Sequence, residues 1–199
     1  MTRWFFTLCL TIAVFFLATV FWAGHAVFVL NNSTMYSEYG PVENLQALVL
    51  ALSCVAFLAP VVLGKKTEKL VLLSCSLLCF AFLLRELDVK RLDIDRTLKF
   101  IGSGVGRNVI MATAFTALLS YAAYHWSYYK RRVVPFLRSR VGMLMIAGGC
   151  FLVLGDIFEK SHRIVHYGFF EEIAELCGFC LILVAGLSAN AGLALEPEP

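Results

Sequence analysis

Carboxylates stand at the ends of this chain's apolar runs, where they can handle a cation or a proton, or hold an arginine. Glu43 opens one run, and Arg85, Glu86 and Asp88 close another. Asp156 and Glu159 close a third, while Glu171, Glu172 and Glu175 open the last. Ionisable groups at that depth of a helix bundle turn inward, pair with one another and mark candidate sites. Arg85, beside so many acids, is their natural counter-charge. The same residues also suit a solvated rim of ion pairs and helix caps, with Glu43 and the Glu171–Glu175 group matching the positive ends of helix dipoles.

A second pattern lies in GDIFEKSHRIVH. Asp156, Glu159, His162 and His166 recur at i, i+3, i+6 and i+10. On one continuous helix, at about 100° per residue, they share about a third of the circumference. Glu159-x-x-His162 repeats a spacing used by di-iron bundles, and His162 with His166 has the i, i+4 geometry of a metal pair. Two histidines among carboxylates suit a divalent transition metal: zinc, manganese or iron. The competing reading pairs Glu159 with Arg163 at i+4 on an interfacial helix.

The segment IGSGVGRN offers Gly102, Gly104, Gly106 and Arg107, a flexible turn or a backbone nest for a lipid phosphate. Its spacing is not the dinucleotide fingerprint, and no strand precedes it. Cys177-Gly-Phe-Cys180 could exchange disulfides, but the second, exposed pair that would pass electrons onward is missing. Small apolar filler is the better reading, as it is for Cys75 and Cys79. His25 stands alone on an apolar run, and His125 lies at the opposite end from the other histidines.

The elements that must carry these groups follow from composition. Of 199 residues, 60% are hydrophobic and only 16% charged, against about 25% charged in soluble domains. The mean hydropathy is +0.79. This excludes a disordered chain, a soluble nucleic-acid binder and a cytosolic enzyme. It predicts a single all-α domain, a polytopic bundle of six transmembrane helices at about 4–30, 44–64, 70–84, 109–126, 141–155 and 169–191. SYYKRRVVPFLRSR reads as a basic loop between the fourth and fifth. At about 1.5 Å per residue, the 15-residue third and fifth runs rise only about 22 Å, short of a hydrocarbon core of about 30 Å. That would draw Arg85, Glu86 and Asp156 below the headgroups. Gly148, Gly149 and Gly155, with Gly186 and Ala189, read as close-packing surfaces.

The loops at 64–69 and 127–140 are strongly basic, and 31–43 has no lysine or arginine. The positive-inside rule then puts both termini in the cytoplasm. The connection at 85–107 carries bases too, but Glu86, Asp88, Asp93 and Asp95 offset them. Residues 1–26 admit a second reading as a cleaved signal peptide, given Arg3 and the small-residue AGHA site. The apolar stretch before His25 is longer than the usual 7–15 residues, however, and apolar residues resume after Ala26.

Glu43 in ENLQ, Arg85-Glu86-Leu87-Asp88, and Glu171 and Glu172 with Glu175 together resemble motifs of a loose group of uncharacterised bacterial multi-pass inner-membrane proteins. That resemblance implies an inner-membrane helical bundle and supplies no activity. His162-x-x-x-His166 is similar to a motif of the alkaline ceramidase-like membrane hydrolases. Their serine and third histidine sit four residues apart on another helix, whereas Ser120 and His125 are five apart, so that activity is not carried over. The expectation is a transporter-like protein or accessory subunit of a bacterial inner membrane. Its partners would be the bilayer and other membrane proteins or further copies of itself, with no nucleic acid. An outer cluster of Arg85 and the carboxylates would handle a cation, a proton or a partner. The alternative is a metal-dependent enzyme acting on lipid or lipid headgroup.

Overall fold

The computed structural model describes residues 3–37, 40–63, 69–87, 99–100, 102–161 and 165–193. Of these residues, 92% are helical and none is in a strand. The helices are α1 (Arg3–Phe28), α2 (Pro41–Leu63), α3 (Lys69–Glu86), α4 (Gly104–Tyr124), α5 (Trp126–Arg138), α6 (Arg140–Glu159) and α7 (Tyr167–Leu193), with a 3-10 turn at Ser33–Tyr36.

Four segments are long and apolar enough to cross a bilayer: Arg3–Phe28, Ser33–Leu63, Arg140–Glu159 and Tyr167–Ala191. The expected six are therefore matched only in part. α3 carries Lys69, Arg85 and Glu86 within 18 residues, and α4 dilutes its apolar side chains with Arg107, Asn108 and several hydroxyls and alanines. The run expected at 141–155 continues to Glu159, giving 20 residues and a rise of about 30 Å. It is not a short helix, and the depth argument for Asp156 falls with that. The expected basic loop is itself helical, as α5.

α7 lies at the centre. It packs against α6, α2 and α1, and the core runs through Leu176, Phe179, Ile182 and Ala185 to Leu50 and Phe57 of α2 and Cys79 of α3. Cys75 and Cys79 are buried filler, and Cys177 and Cys180 are free, partly buried thiols. α4 buries only Gly106 among its described side chains, and α5 buries none. Many large apolar side chains point outward, including Phe21, Val55 and Leu63. Such an apolar exterior fits lipid as the solvent.

α6 and α7 run antiparallel and nearly touch backbone to backbone. A Cβ on Gly148 would stand 2.9 Å from the Gly178 carbonyl, and one on Gly178 would stand 2.9 Å from the Gly148 carbonyl. Gly149 faces open space instead, which removes it from the expected packing surface. α2 and α7 run parallel. They meet at Ala56 and Gly186, where an added Cβ would lie 2.9 Å from the Ala56 methyl.

That crossing solves a problem set by Pro60, which is buried inside α2. Proline has no N–H, so the Ala56 carbonyl four residues earlier loses its helical donor. In an apolar medium such a carbonyl must find another partner. Asn190 supplies it, its Nδ2 donating to the Ala56 carbonyl at 2.6 Å and to the Gly186 carbonyl at 2.9 Å. Asn190→Ala should therefore cost about 1–3 kcal/mol, the cost of an orphaned polar group. In a Pro60→Ala background the same change should cost less than half as much, because residue 60 regains an N–H for Ala56. Thermal unfolding of the four proteins in detergent measures this cycle, and an equal cost in both backgrounds refutes the coupling.

Candidate functional site

The site forms where the C-terminal end of α3 meets the N-terminal halves of α2 and α7 and the end of α6. α7 begins at Tyr167, with no acid in its first turn. Glu171 and Glu172 therefore sit a turn inside the helix, and Glu175 lies about 12 Å along its axis. Of the acids expected to match helix dipoles, only Glu43 occupies a first turn.

Arg85 and Glu175 form the central ion pair. Arg85 Nη2 donates to Glu175 Oε1 at 2.8 Å. The antiparallel crossing of α3 and α7, with Phe82 against Phe179 one turn away, brings the two together. Gly155 of α6 makes the space, since a Cβ there would lie 2.9 Å from Glu175 Cγ. Arg85 Nε also lies 3.3 Å from Glu86 Oε1. That is a charge contact without hydrogen-bond geometry, and among the described residues the buried Glu86 Oε1 has no hydrogen-bond partner.

Glu86 is sunken as expected, but Arg85 is not. The side chains of Glu86 and Glu175 are 7% and 9% exposed, while that of Arg85 is 57% exposed. The carboxylates are the sunken groups, and the arginine reaches them from the rim along its aliphatic stem.

Gln46 of α2 holds the third acid. It is fully buried, and its Nε2 donates both to the Glu172 carboxylate at 2.8 Å and to the Glu172 backbone carbonyl at 2.9 Å. Its own buried Oε1 has no partner among the described residues. Glu43, Glu171 and Glu175 lie within electrostatic reach of both Glu86 and Glu172. Among the described residues, the centre thus sets Glu86, Glu175 and the partly buried Glu172 against Arg85. Sequence reasoning used Glu43 from ENLQ and passed over Gln46. The signal was present: an amide one turn beyond Glu43, on the same helical face, at the head of an apolar run.

Asp156 and Glu159 take no place in this centre. Both are exposed. Asp156 pairs with Lys160 at i+4, and that hydrogen bond holds the Lys160 ammonium above the usual lysine range. Arg85 lies within electrostatic reach of Glu159 without touching it.

The histidine stripe loses its geometric basis. α6 ends at Glu159, and His166 has φ +56, so His166 does not continue the helical face that Asp156 and Glu159 share. His166 belongs to an aromatic latch. Its Nδ1 lies 3.1 Å from Tyr36 Oη, and its ring meets Phe28 edge-on at 5.5 Å. Gly168 lets Tyr36 approach, since a Cβ there would lie 2.9 Å from the ring. Among the described residues, no three His, Cys, Asp or Glu side chains converge as a metal centre would require. Asp88 and His162 lie outside the described residues.

In the glycine segment, Gly104 has φ +58, and Gly106 packs on the Phe100 carbonyl. Arg107 Nη1 donates to the Leu84 carbonyl at 2.8 Å, capping the end of α3 just before Arg85. The described contact of this arginine thus steadies the site helix. The chain matches no protein-family model, no curated protein and no solved structure.

Removing one member of a buried ion pair costs about 3–5 kcal/mol. Because Arg85 is half in solvent, Arg85→Ala should cost less, about 1–3 kcal/mol. Adding Glu175→Gln should restore part of that loss, whereas adding Asp156→Asn should restore none. Melting temperatures of the purified variants in detergent decide this. Equal rescue by both changes would mean that Arg85 acts through the general field and not through Glu175.

Proposed function

We propose that the chain is a six-span protein of a bacterial inner membrane, transporter-like or an accessory subunit, whose buried carboxylate centre binds a cation. The observation that carries this reading is the imbalance at the centre. Among the described residues, Glu86, Glu172 and Glu175 face one rim arginine, and neither Glu86 Oε1 nor Gln46 Oε1, both buried, has a hydrogen-bond partner. Buried oxygens of that kind take a hydrogen-bond donor, a bound water or an ion. Among the described residues no three of these acids converge as a ready metal centre, so a cation would have to draw the carboxylates together; oxygen donors suit a hard one such as sodium, magnesium or calcium.

The six-span reading draws support from helix directions. α1, α3 and α6 run one way and α2, α4 and α7 the other, in keeping with the Phe28–Phe169, Gln46–Glu172, Asn190–Ala56, Arg85–Glu175, Arg107–Leu84 and Gly148–Gly178 contacts. The described charged residues also segregate. Arg3, Lys69, Lys130, Arg131, Arg132, Arg138 and Arg140 gather at the end opposite the carboxylates, with no described acid among them. By the positive-inside rule, that end faces the cytoplasm.

Two measurements test the proposal. Sodium, magnesium or calcium, compared at fixed ionic strength with a bulky organic cation, should raise the melting temperature of the purified protein. Glu86→Gln and Glu172→Gln should each abolish the increase; a melting temperature indifferent to every cation removes the cation reading. A periplasm-active reporter fused after Leu30 should be active and one after Arg132 silent, and the reverse pattern overturns the orientation.

A further inference from the structure

We infer that α5 lies flat in the headgroup layer at the basic end of the bundle and binds anionic phospholipid there. Its 13 residues rise only about 20 Å, too little to cross a hydrocarbon core of about 30 Å. Each end joins its neighbour through a single residue. His125 ends α4 and starts α5, and Ser139 ends α5 and starts α6.

The second corner is tight. Ser139 Oγ accepts from the Gly142 N–H at 3.2 Å and donates to the Phe136 carbonyl at 2.6 Å. A Cβ on Gly142 would stand 2.7 Å from Leu137 Cα. α4 and α6 run in opposite directions, so a helix fastened between them at that end must lie across the bundle.

The sequence of α5 divides it lengthwise. At about 100° per residue, Trp126, Tyr129, Val133 and Leu137 fall within an arc of about 80°, and Arg131 and Arg138 fall together on the far side. The other described residues leave the apolar face uncovered: Trp126 is 57% exposed, Val133 44% and Leu137 43%. Lys130, Arg131, Arg138 and Arg140 are all exposed. An apolar face with an aromatic anchor, backed by a basic face, is the signature of a helix lying in a membrane interface. Basic residues near the surface favour anionic lipid over zwitterionic lipid, in a salt-dependent way. Beside this helix, an apolar groove of about 470 Å³ lies between α3 and α4, lined by Leu70, Leu73, Leu77, Ala114, Leu118 and Tyr121. It offers a seat for an acyl chain. Neither the cation centre nor the orientation enters this inference.

The test uses the full chain in phosphatidylcholine vesicles with and without phosphatidylglycerol. In a Trp4→Phe/Trp22→Phe background, Trp126 is the sole tryptophan. Lipids brominated near the headgroup should quench it more strongly than lipids brominated near the chain ends. Phosphatidylglycerol retained through purification should exceed phosphatidylcholine, and Arg131→Glu/Arg138→Glu should cut that preference about tenfold or more. Where the charge-reversed protein fails to fold, Arg131→Gln/Arg138→Gln gives the same comparison with a smaller loss. Trp126 untouched by either quencher means that α5 projects into water and overturns the proposal. So does an anionic-lipid preference that survives both double variants.

Discussion

Polar groups inside an apolar molecule must find partners within it, and among the described residues α7 supplies the larger share of them. Glu175 receives the Arg85 guanidinium from α3, Glu172 receives the Gln46 amide from α2, and Asn190 donates to the carbonyl that Pro60 leaves open in α2. A helix that carried only leucines could pack in the same place, but it could not choose its register. The hydrophobic contacts set the strength of the bundle, and the hydrogen bonds of α7 set which residues lie opposite which. Gly148, Gly155 and Gly186 let the neighbours come close enough for those bonds to form.

The all-helical class and most helix positions were legible because long apolar runs leave few other choices. Arg85 pairing across to another helix was legible too, since neighbours on one helix diverge by about 100°, and Glu175 was among the acids within its reach. α5 was missed because its tyrosines and arginines read as loop residues when counted by hydropathy alone. Its two-faced arrangement shows only when the residues are placed around a helix. The histidine stripe failed for a related reason: a spacing argument assumes a continuous helix, and the chain leaves the helix after Glu159. Gln46 escaped notice because an amide carries no charge, yet in a buried site it does what a charged group would do at greater desolvation cost.

The molecule is also polarised along its length. Acids dominate one end of the described structure and bases the other, and each end uses its charges differently. At the acidic end they are drawn inside and partly compensated, so they shape an interior. At the basic end they lie on the surface of α5, so they shape what the molecule rests against.

α2 and α7 are pinned to each other at two separated levels, by Gln46 on Glu172 near one end and by Asn190 on Ala56 toward the other. One pin would allow pivoting about it; two prevent both sliding and rotation. The pair therefore behaves as a fixed post. The carboxylates of Glu172 and Glu175 belong to that post and keep their place, while α3, apart from the arginine contact itself, is fastened to the post by Ser76 on the Cys54 carbonyl. If the centre opens and closes, the moving part is the α3 end that carries the arginine, with the acids standing still to receive whatever replaces it.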